Sequence, residues 1–308
     1  MVMSGTRLSV MHRTTYRYST LVETAQHLAT IRPLELPWQR VLAHRECIEP
    51  TPSYQTSRHD AFGNEVLYFS FDAPHDYLQM TSETSVLLSP RYASLDIAAT
   101  PAWEDVAHAL RYTAGGAFDA QSEFCFASPN IALLPELRAY ALQSFAPGVA
   151  VAAGAIDLMH RIHADFTYET TATAFDTPAA RAFALRHGVC QDFAQVMIGC
   201  LRSIGLAARY VSGYLRNDPP AGAPAMIGAD ASHAWVSLYV PSVPSVPPAP
   251  SAVPAVWIDL DPTNDVLADQ GHVTLAVGRD YSDVSLLRGV ILGGGAHRVD
   301  VAVHVSAG

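Results

Sequence analysis

The stretch RHGVCQDFAQVMIGCLRSIGLAARYVSGYL, residues 186–215, places a cysteine directly after a glycine turn. From Cys190 onward apolar residues recur at helical spacing until Gly205, which predicts a helix that begins at the cysteine. The recurring residues predict one core-facing side of this helix: Phe193, Met197, Cys200 and Ile204. Backbone N–H groups at a helix N-terminus stabilise a thiolate, which is the nucleophilic form of cysteine. The sequence therefore raises the hypothesis that Cys190 is a nucleophile.

The composition excludes several classes of function. Hydrophobic residues make up 49% and charged residues 16% of the 308, which predicts a folded chain with a large core. The net charge of −10 argues against a nucleic-acid partner, because phosphate binding needs a basic face. The start, MVMSGTRLSVMHRTTYRYST, lacks the apolar core of a signal peptide, and no apolar run reaches the roughly 18 residues of a membrane span. We therefore expect a cytoplasmic protein without a membrane partner.

The four cysteines are scattered, without a C-x-x-C pair, so neither a zinc cluster nor a disulfide framework is indicated. We expect free thiols in a reducing compartment. Cys47 and Cys125 are interpreted as buried small hydrophobic residues, because free cysteine is among the most buried residue types.

The periodicity of the sequence changes once along the chain. Residues 1–95 read as short strands such as LSVMHRTTYRYS, joined by turns such as DAFGNEV, and predict a sandwich-like N-terminal β domain. Residues 96–308 read as helices followed by the strands AARYVSGYL, HAWVSLYV and AVWIDLDP, which predicts a core domain that includes the C-terminal segment. The predicted fold class is α+β.

A proline-rich segment, PSVPSVPPAPSAVP at residues 241–254, separates the last two of these strands. Its composition predicts a polyproline-type projection or a disordered loop. We interpret it as a tolerated surface insertion. A docking site for a protein partner is the alternative, and the N-terminal β domain is a second candidate for such a surface.

A nucleophilic cysteine needs a base, and that base needs an acceptor to orient it. His233 stands at the start of the strand in ADASHAWVSLYV, and an imidazole titrates in the useful range. Asp259 and Asp261 end the strand in WIDLDPTND, and residues two apart on a strand share a face. By spacing alone, either aspartate could orient the imidazole.

The stretches GVCQDFAQVMIGCLRSIGLAARYVSGYL, GADASHAW and DLDPTND together resemble the bacterial transglutaminase-like superfamily, whose members are often described as candidate cysteine proteases. HRTTYRYS and DAFGN resemble its N-terminal region, and GRDYSDVSLLRGVILGGGAH, residues 278–297, resembles its C-terminal segment. The resemblance implies a papain-like core, with a helix-borne cysteine packed on an antiparallel sheet. It also implies that Cys190 is the nucleophile, His233 the base and Asp261 the orienting carboxylate.

Four further residues are weaker candidates for substrate contact: Gln191, Asp192, Trp235 and Asp259. Gln191 could donate to an oxyanion, although the backbone N–H of Cys190 is the simpler donor. Asp192 could instead stabilise the first turn of the helix, and Trp235 could be a core aromatic residue. Gln195 stands where family members often have histidine, and we assign it no chemistry.

The segment DLDPTNDVLADQ begins with alternating acids, as a calcium-binding EF-hand loop does. It has Asn264 where that loop needs glycine and Gln270 where it needs glutamate. We therefore expect neither a metal nor another cofactor.

These expectations describe an enzyme that transfers acyl groups from amide bonds through a thioester on Cys190. The substrate is a peptide or protein amide. Hydrolysis, as by a protease or amidase, is favoured over transamidation because nothing in the sequence identifies an amine pocket. The alternative is a non-catalytic protein-binding module that retains the fold, but such a module has no need to keep a complete triad.

Overall fold

The computed structural model describes residues 5–115, 119–171, 177–217, 226–228, 232–241 and 255–308. Its N-terminal part consists of five strands: β1 (Thr6–Ala29), β2 (Gln39–Glu49), β3 (Tyr54–His59), β4 (Glu65–Phe71) and β5 (His75–Leu88). The first half of β1 pairs with β5 and its second half pairs with β4, with a register shift between Arg17 and Val22. The two halves of the sheet enclose a core that includes Phe69, Leu78 and Met80.

The helices are α1 (Trp103–Ala109), α2 (Pro135–Ala141), α3 (Val151–Asp165), α4 (Ala179–Leu185) and α5 (Cys190–Ser203). As predicted, α5 begins at the cysteine, and Gly205 follows its end with a φ of +89°. The four residues predicted to face the core are buried, and so is every residue from Gln191 to Arg202, which means that the helix is buried on all sides. The helix is central, with α2, α3 and α4 packed on it together with two strands of the second sheet.

The second sheet consists of β8 (Ala208–Leu215), β9 (Ser232–Val240), β10 (Val256–Asp261), β11 (Val266–Leu267) and β12 (His272–Gly278). Its strands are antiparallel in the order β11-β10-β9-β8-β12. Alternate residues of β9, such as Val236 and Leu238, share a core with α5. A short parallel pair, β6 (Thr167–Tyr168) and β7 (His187–Gly188), precedes the cysteine. The predicted α+β fold, with a helix-borne cysteine on an antiparallel sheet, is confirmed.

The last two strands, β13 (Leu287–Gly293) and β14 (His297–Ala307), return to the N-terminal sheet. There β14 pairs with the first half of β1 and β13 with its second half. The sequence predicts this C-terminal segment as part of the core domain, whereas its strands extend the N-terminal sheet to seven. The strand pattern could not predict this, because alternation identifies a strand without naming the sheet that it joins. The domain boundary near residue 95 stays a prediction.

Two amide side chains attach the N-terminal sheet to β12. Gln39 accepts from the backbone N–H of Thr274 (2.8 Å) and donates to its carbonyl (2.6 Å). Asn64 does the same at Val277, with distances of 2.8 and 2.7 Å. Both amides therefore satisfy the backbone of β12, which is an edge strand of its own sheet.

Two of the predictions concern a membrane and the proline-rich segment. Across the described ranges, none of the helices has the length and apolar character that crossing a membrane requires. Residues 242–254, which carry most of the proline-rich segment, lie outside the described residues, so the interpretation of that segment stays a prediction.

Candidate active site

Cys190 is the first residue of α5, and a tight turn delivers the chain to it. A Cβ atom on Gly188 would lie 2.5 Å from Asp192 Oδ2, so only glycine fits this approach. The same Oδ2 accepts a hydrogen bond from the backbone N–H of Val189 at 2.9 Å. Because of this hydrogen bond, Asp192, which is 1% exposed, stabilises the turn before Cys190. This is the structural role considered above. Cys190 itself remains partly exposed.

The imidazole of His233 interacts with a carboxylate and with a thiol. Its Nε2–H donates to Oδ2 of Asp261 at 2.9 Å, and both side chains are fully buried. The thiol of Cys190 interacts with the same ring. No nitrogen or oxygen of the described residues hydrogen-bonds Nδ1 of His233. The three side chains that the resemblance assigns to a triad are therefore neighbours.

The charges of these neighbours control the protonation of the pair. Burial alone lowers the pKa of His233, but the charges of Asp261 and Cys190 outweigh it and raise the pKa to about 10. Burial raises the pKa of Asp261, but the charges and hydrogen bonds of His233 and His272 hold it well below its usual range. At neutral pH the pair is therefore an imidazolium and a carboxylate.

The turn after β10 fixes the carboxylate of Asp261. Its Oδ1 accepts from the backbone N–H groups of Thr263 (3.0 Å) and Asn264 (3.2 Å), and its Oδ2 accepts from Asn264 Nδ2 at 2.8 Å. Asn264 also accepts from the backbone N–H of Ile227 at 2.7 Å. Sequence reasoning missed this role of Asn264, although an aspartate followed by Pro-Thr-Asn after a strand is typical of side-chain-capped turns.

Gly228 follows Ile227 and leaves no room for a side chain beside the imidazole. Its φ is +83°, and a Cβ atom there would lie 2.9 Å from Nδ1 of His233. We expect Gly228→Ala to lower kcat at least about tenfold, because the methyl group displaces the ring. Gly63→Ala is the matched control, since Gly63 has a φ of +85° and no atom within 4 Å of its Cβ position. Equal kcat losses in the two variants would contradict the contact and indicate backbone strain alone.

Asp259 shares a strand face with Asp261 but has different partners. Its Oδ2 pairs with Arg91 Nη1 at 2.6 Å and accepts from Trp235 Nε1 at 3.2 Å. Arg91 in turn lies 3.8 Å from the centre of the Trp38 ring. Asp259 is thus part of a buried ion pair, and its hydrogen bonds do not reach His233.

Trp235 and Asp259 therefore do not fit the weaker interpretation as substrate contacts. Trp235 is 0% and Asp259 2% exposed, so neither offers a surface to a substrate. Trp235 stacks beside His233, with ring centroids 6.2 Å apart, and supports the imidazole from the core. Gln191 is 6% exposed in the first turn of α5, and its proposed oxyanion contact stays a prediction.

The other cysteines differ from Cys190 in their surroundings. Cys200 is buried, and burial raises its pKa to about 12. Cys125 is partly exposed, and burial raises its pKa to about 11. Cys47 is exposed, so the expectation that it is buried is wrong. The reason is that β2 is an edge strand with one solvated face.

In the part of the chain that the structure describes, no three histidine, cysteine, aspartate or glutamate side chains are grouped to hold a metal ion. Independence from metals and cofactors stays a prediction.

Comparison with known families agrees with this geometry. Residues 8–87 match the bacterial transglutaminase-like N-terminal region, and residues 143–262 match the transglutaminase-like superfamily. The second match spans Cys190, His233 and Asp261. Together with the fold, these matches define a transglutaminase-like enzyme. The chain belongs to the transglutaminase-like superfamily and carries the N-terminal region of its bacterial members.

Three similar proteins illustrate the range of the family. A protein of Mycobacterium tuberculosis (strain H37Rv) is 40% identical over 307 residues, which cover 98% of this chain and 94% of that protein. A protein-glutamine gamma-glutamyltransferase of Pseudomonas aeruginosa is 29% identical over 140 residues, 45% of this chain and 19% of that enzyme. The crystal structure of a candidate cysteine protease from Cytophaga hutchinsonii has a TM-score of 0.74 at 17% identity and covers 99% of this chain and 91% of that one. The last comparison shows a shared fold.

Proposed function

We propose that this enzyme transfers acyl groups from peptide or protein amides through a thioester on Cys190. The observation that carries the proposal is that Nε2 of His233 pairs with Asp261 and that the same ring interacts with the thiol of Cys190. Nucleophilic cysteine catalysis requires a base that interacts with the thiol and that a carboxylate orients. Here the thiol also lies at the start of a helix.

In the proposed mechanism, the thiolate of Cys190 attacks the carbonyl carbon of the amide. In this mechanism the backbone N–H of Cys190, at the start of α5, stabilises the resulting oxyanion. The C–N bond breaks as the His233 imidazolium gives its Nδ1 proton to the departing amine, and a thioester remains. Asp261 keeps Nε2 protonated, so that Nδ1 is the nitrogen that exchanges protons.

The neutral imidazole then takes a proton from the second reactant, which attacks the thioester and releases the thiolate. Water as that reactant gives hydrolysis, and a primary amine gives transamidation. We favour hydrolysis, because nothing in the sequence identifies an amine pocket. The gamma-glutamyl transfer of the Pseudomonas relative supports a glutamine side chain as the amide and keeps transamidation as the second outcome.

We also propose a cytoplasmic location, where reducing conditions keep the cysteines as thiols. The N-terminal sheet and residues 241–254 remain candidate surfaces for a protein partner. A purely non-catalytic binding module is the competing proposal, and the contacts among Cys190, His233 and Asp261 argue against it, because partner binding alone does not require them.

A partition experiment separates these proposals. The enzyme is incubated with a glutamine-containing peptide, with and without a fluorescent primary amine, and ammonia, peptide fragments and amine incorporation are measured. We expect ammonia or new peptide termini in the absence of the amine. Product that forms only when the amine is present would contradict hydrolysis, and the absence of product across a panel of peptides would favour the binding module.

A further inference from the structure

A second histidine contacts the carboxylate of Asp261. His272 is the first residue of β12, and its Nε2–H donates to Oδ2 of Asp261 at 3.2 Å. This is the same oxygen that accepts from His233 at 2.9 Å. The imidazole of His272 is buried, with 5% of its side chain exposed. Two imidazoles thus converge on one carboxylate oxygen.

The curl of the second sheet explains this contact. In the order of pairing, β12 lies beyond β8, three strands away from β10. The chain nevertheless passes from β10 to β12 through a short connection that contains β11, and the sheet curls so that His272 reaches Asp261. Trp235 packs against both imidazoles, stacked on His233 and edge-on to His272 at a centroid distance of 5.2 Å.

The contacts of Asp261 indicate what His272 contributes. Oδ1 of Asp261 accepts from two backbone N–H groups, and Oδ2 of Asp261 accepts from the side chains of Asn264, His233 and His272. Asn264 belongs to the turn that carries the carboxylate, whereas His272 belongs to a separate strand. His272 is therefore the donor that ties the carboxylate to the opposite edge of the sheet.

We propose that His272 is a positioning residue of this enzyme: it holds Oδ2 of Asp261 in line with Nε2 of His233 and so directs Nδ1 of His233 toward Cys190. The inference rests on the proposed function for its kinetic consequence. The structural consequence, an imidazole held beside the thiol, is independent of the substrate.

The test compares His272→Leu, which removes the donor, with His272→Gln, whose side-chain amide can donate at a similar reach. We expect His272→Leu to lower kcat about 10- to 100-fold with KM within about threefold, and His272→Gln to recover most of the loss. His12→Leu is the matched control, because His12 is also a buried imidazole and bonds Tyr214 and Thr14. It should lower stability and leave kcat unchanged.

A second readout needs no amide substrate: the rate at which iodoacetamide alkylates Cys190 at pH 7, followed by mass spectrometry. We expect His272→Leu to slow this reaction about tenfold or more and His272→Gln to restore it. If His272→Leu does not fold, His272→Asn replaces it, since its amide is too short to reach Asp261.

Wild-type kcat and alkylation rate in a folded His272→Leu variant would overturn the inference. A His272→Leu variant in which only KM changes would also overturn it. So would a His272→Gln variant whose kcat and alkylation rate are as low as those of His272→Leu. Failure of the proposed function gives a different result, because wild type and Cys190→Ala would then be equally inactive on amides while the alkylation rates still report the role of His272.

Discussion

Replacing Cys190 with alanine is expected to reduce amide turnover by at least about 10⁴-fold, because the proposed thioester forms on its thiol. The fold should remain, since alanine suits the first turn of a helix and Cys190 is only partly buried. Turnover is measured with the best amide substrate found, and thermal unfolding checks the fold.

Cys200→Ala is the matched control in the same helix. Cys200 is fully buried, and burial holds its pKa near 12, so it cannot supply a thiolate at neutral pH. We expect its replacement to lower stability by about 1 kcal/mol and to leave turnover within a fewfold. Residual activity above a few per cent in Cys190→Ala would contradict the assignment of the nucleophile.

The replacement Asp261→Asn is expected to lower kcat by about 10³- to 10⁴-fold, because an amide can hold the imidazole in the wrong tautomer. It also removes the strongest influence that raises the pKa of His233, so that pKa should fall from about 10. The stability that the imidazolium contributes is complete below the unfolded value near 6.5 and is lost as the pH rises through about 10. We therefore expect the unfolding free energy of Asp261→Asn to depend less on pH between about 6.5 and 10 than that of the wild type.

Asp259→Asn makes the same substitution two residues away on the same strand and is the comparison for Asp261→Asn. It leaves the buried Arg91 without a charged partner, so we expect it to destabilise the fold by about 3–5 kcal/mol. Its effect on kcat should be about tenfold or less, measured at a temperature where circular dichroism shows a folded protein. An inactive Asp259→Asn beside an active Asp261→Asn would show that the orienting carboxylate is misassigned.

Local patterns predicted the elements that carry the site. The helix at Cys190 and the strands that hold His233 and Asp261 follow from periodicity and turn residues, and the resemblance selected Asp261 over Asp259. The contact between Asp259 and Arg91 could not be predicted, because 168 residues separate them along the chain. The burial of α5 on all sides and the return of β13 and β14 to β1 likewise depend on which elements pack together.

The role of His272 was missed for a related reason. Only 11 residues separate it from Asp261, but the two lie on strands that are not neighbours in the sheet. Their contact depends on how strongly that sheet curls, and alternation along a strand carries no information about curl.

The most direct test of the central claim is to trap the acyl group on the enzyme. A glutamine-containing peptide is mixed with the Cys200→Ala variant and quenched in acid during turnover, and the protein is then digested with trypsin and analysed by mass spectrometry. The Cys200→Ala background is needed because trypsin leaves both cysteines in one peptide, residues 187–202. We expect an acyl adduct on Cys190 that hydroxylamine removes and that is absent when Cys190 is also alanine. Turnover without any adduct on Cys190, or an adduct on Cys47 or Cys125 instead, would contradict thioester catalysis at Cys190.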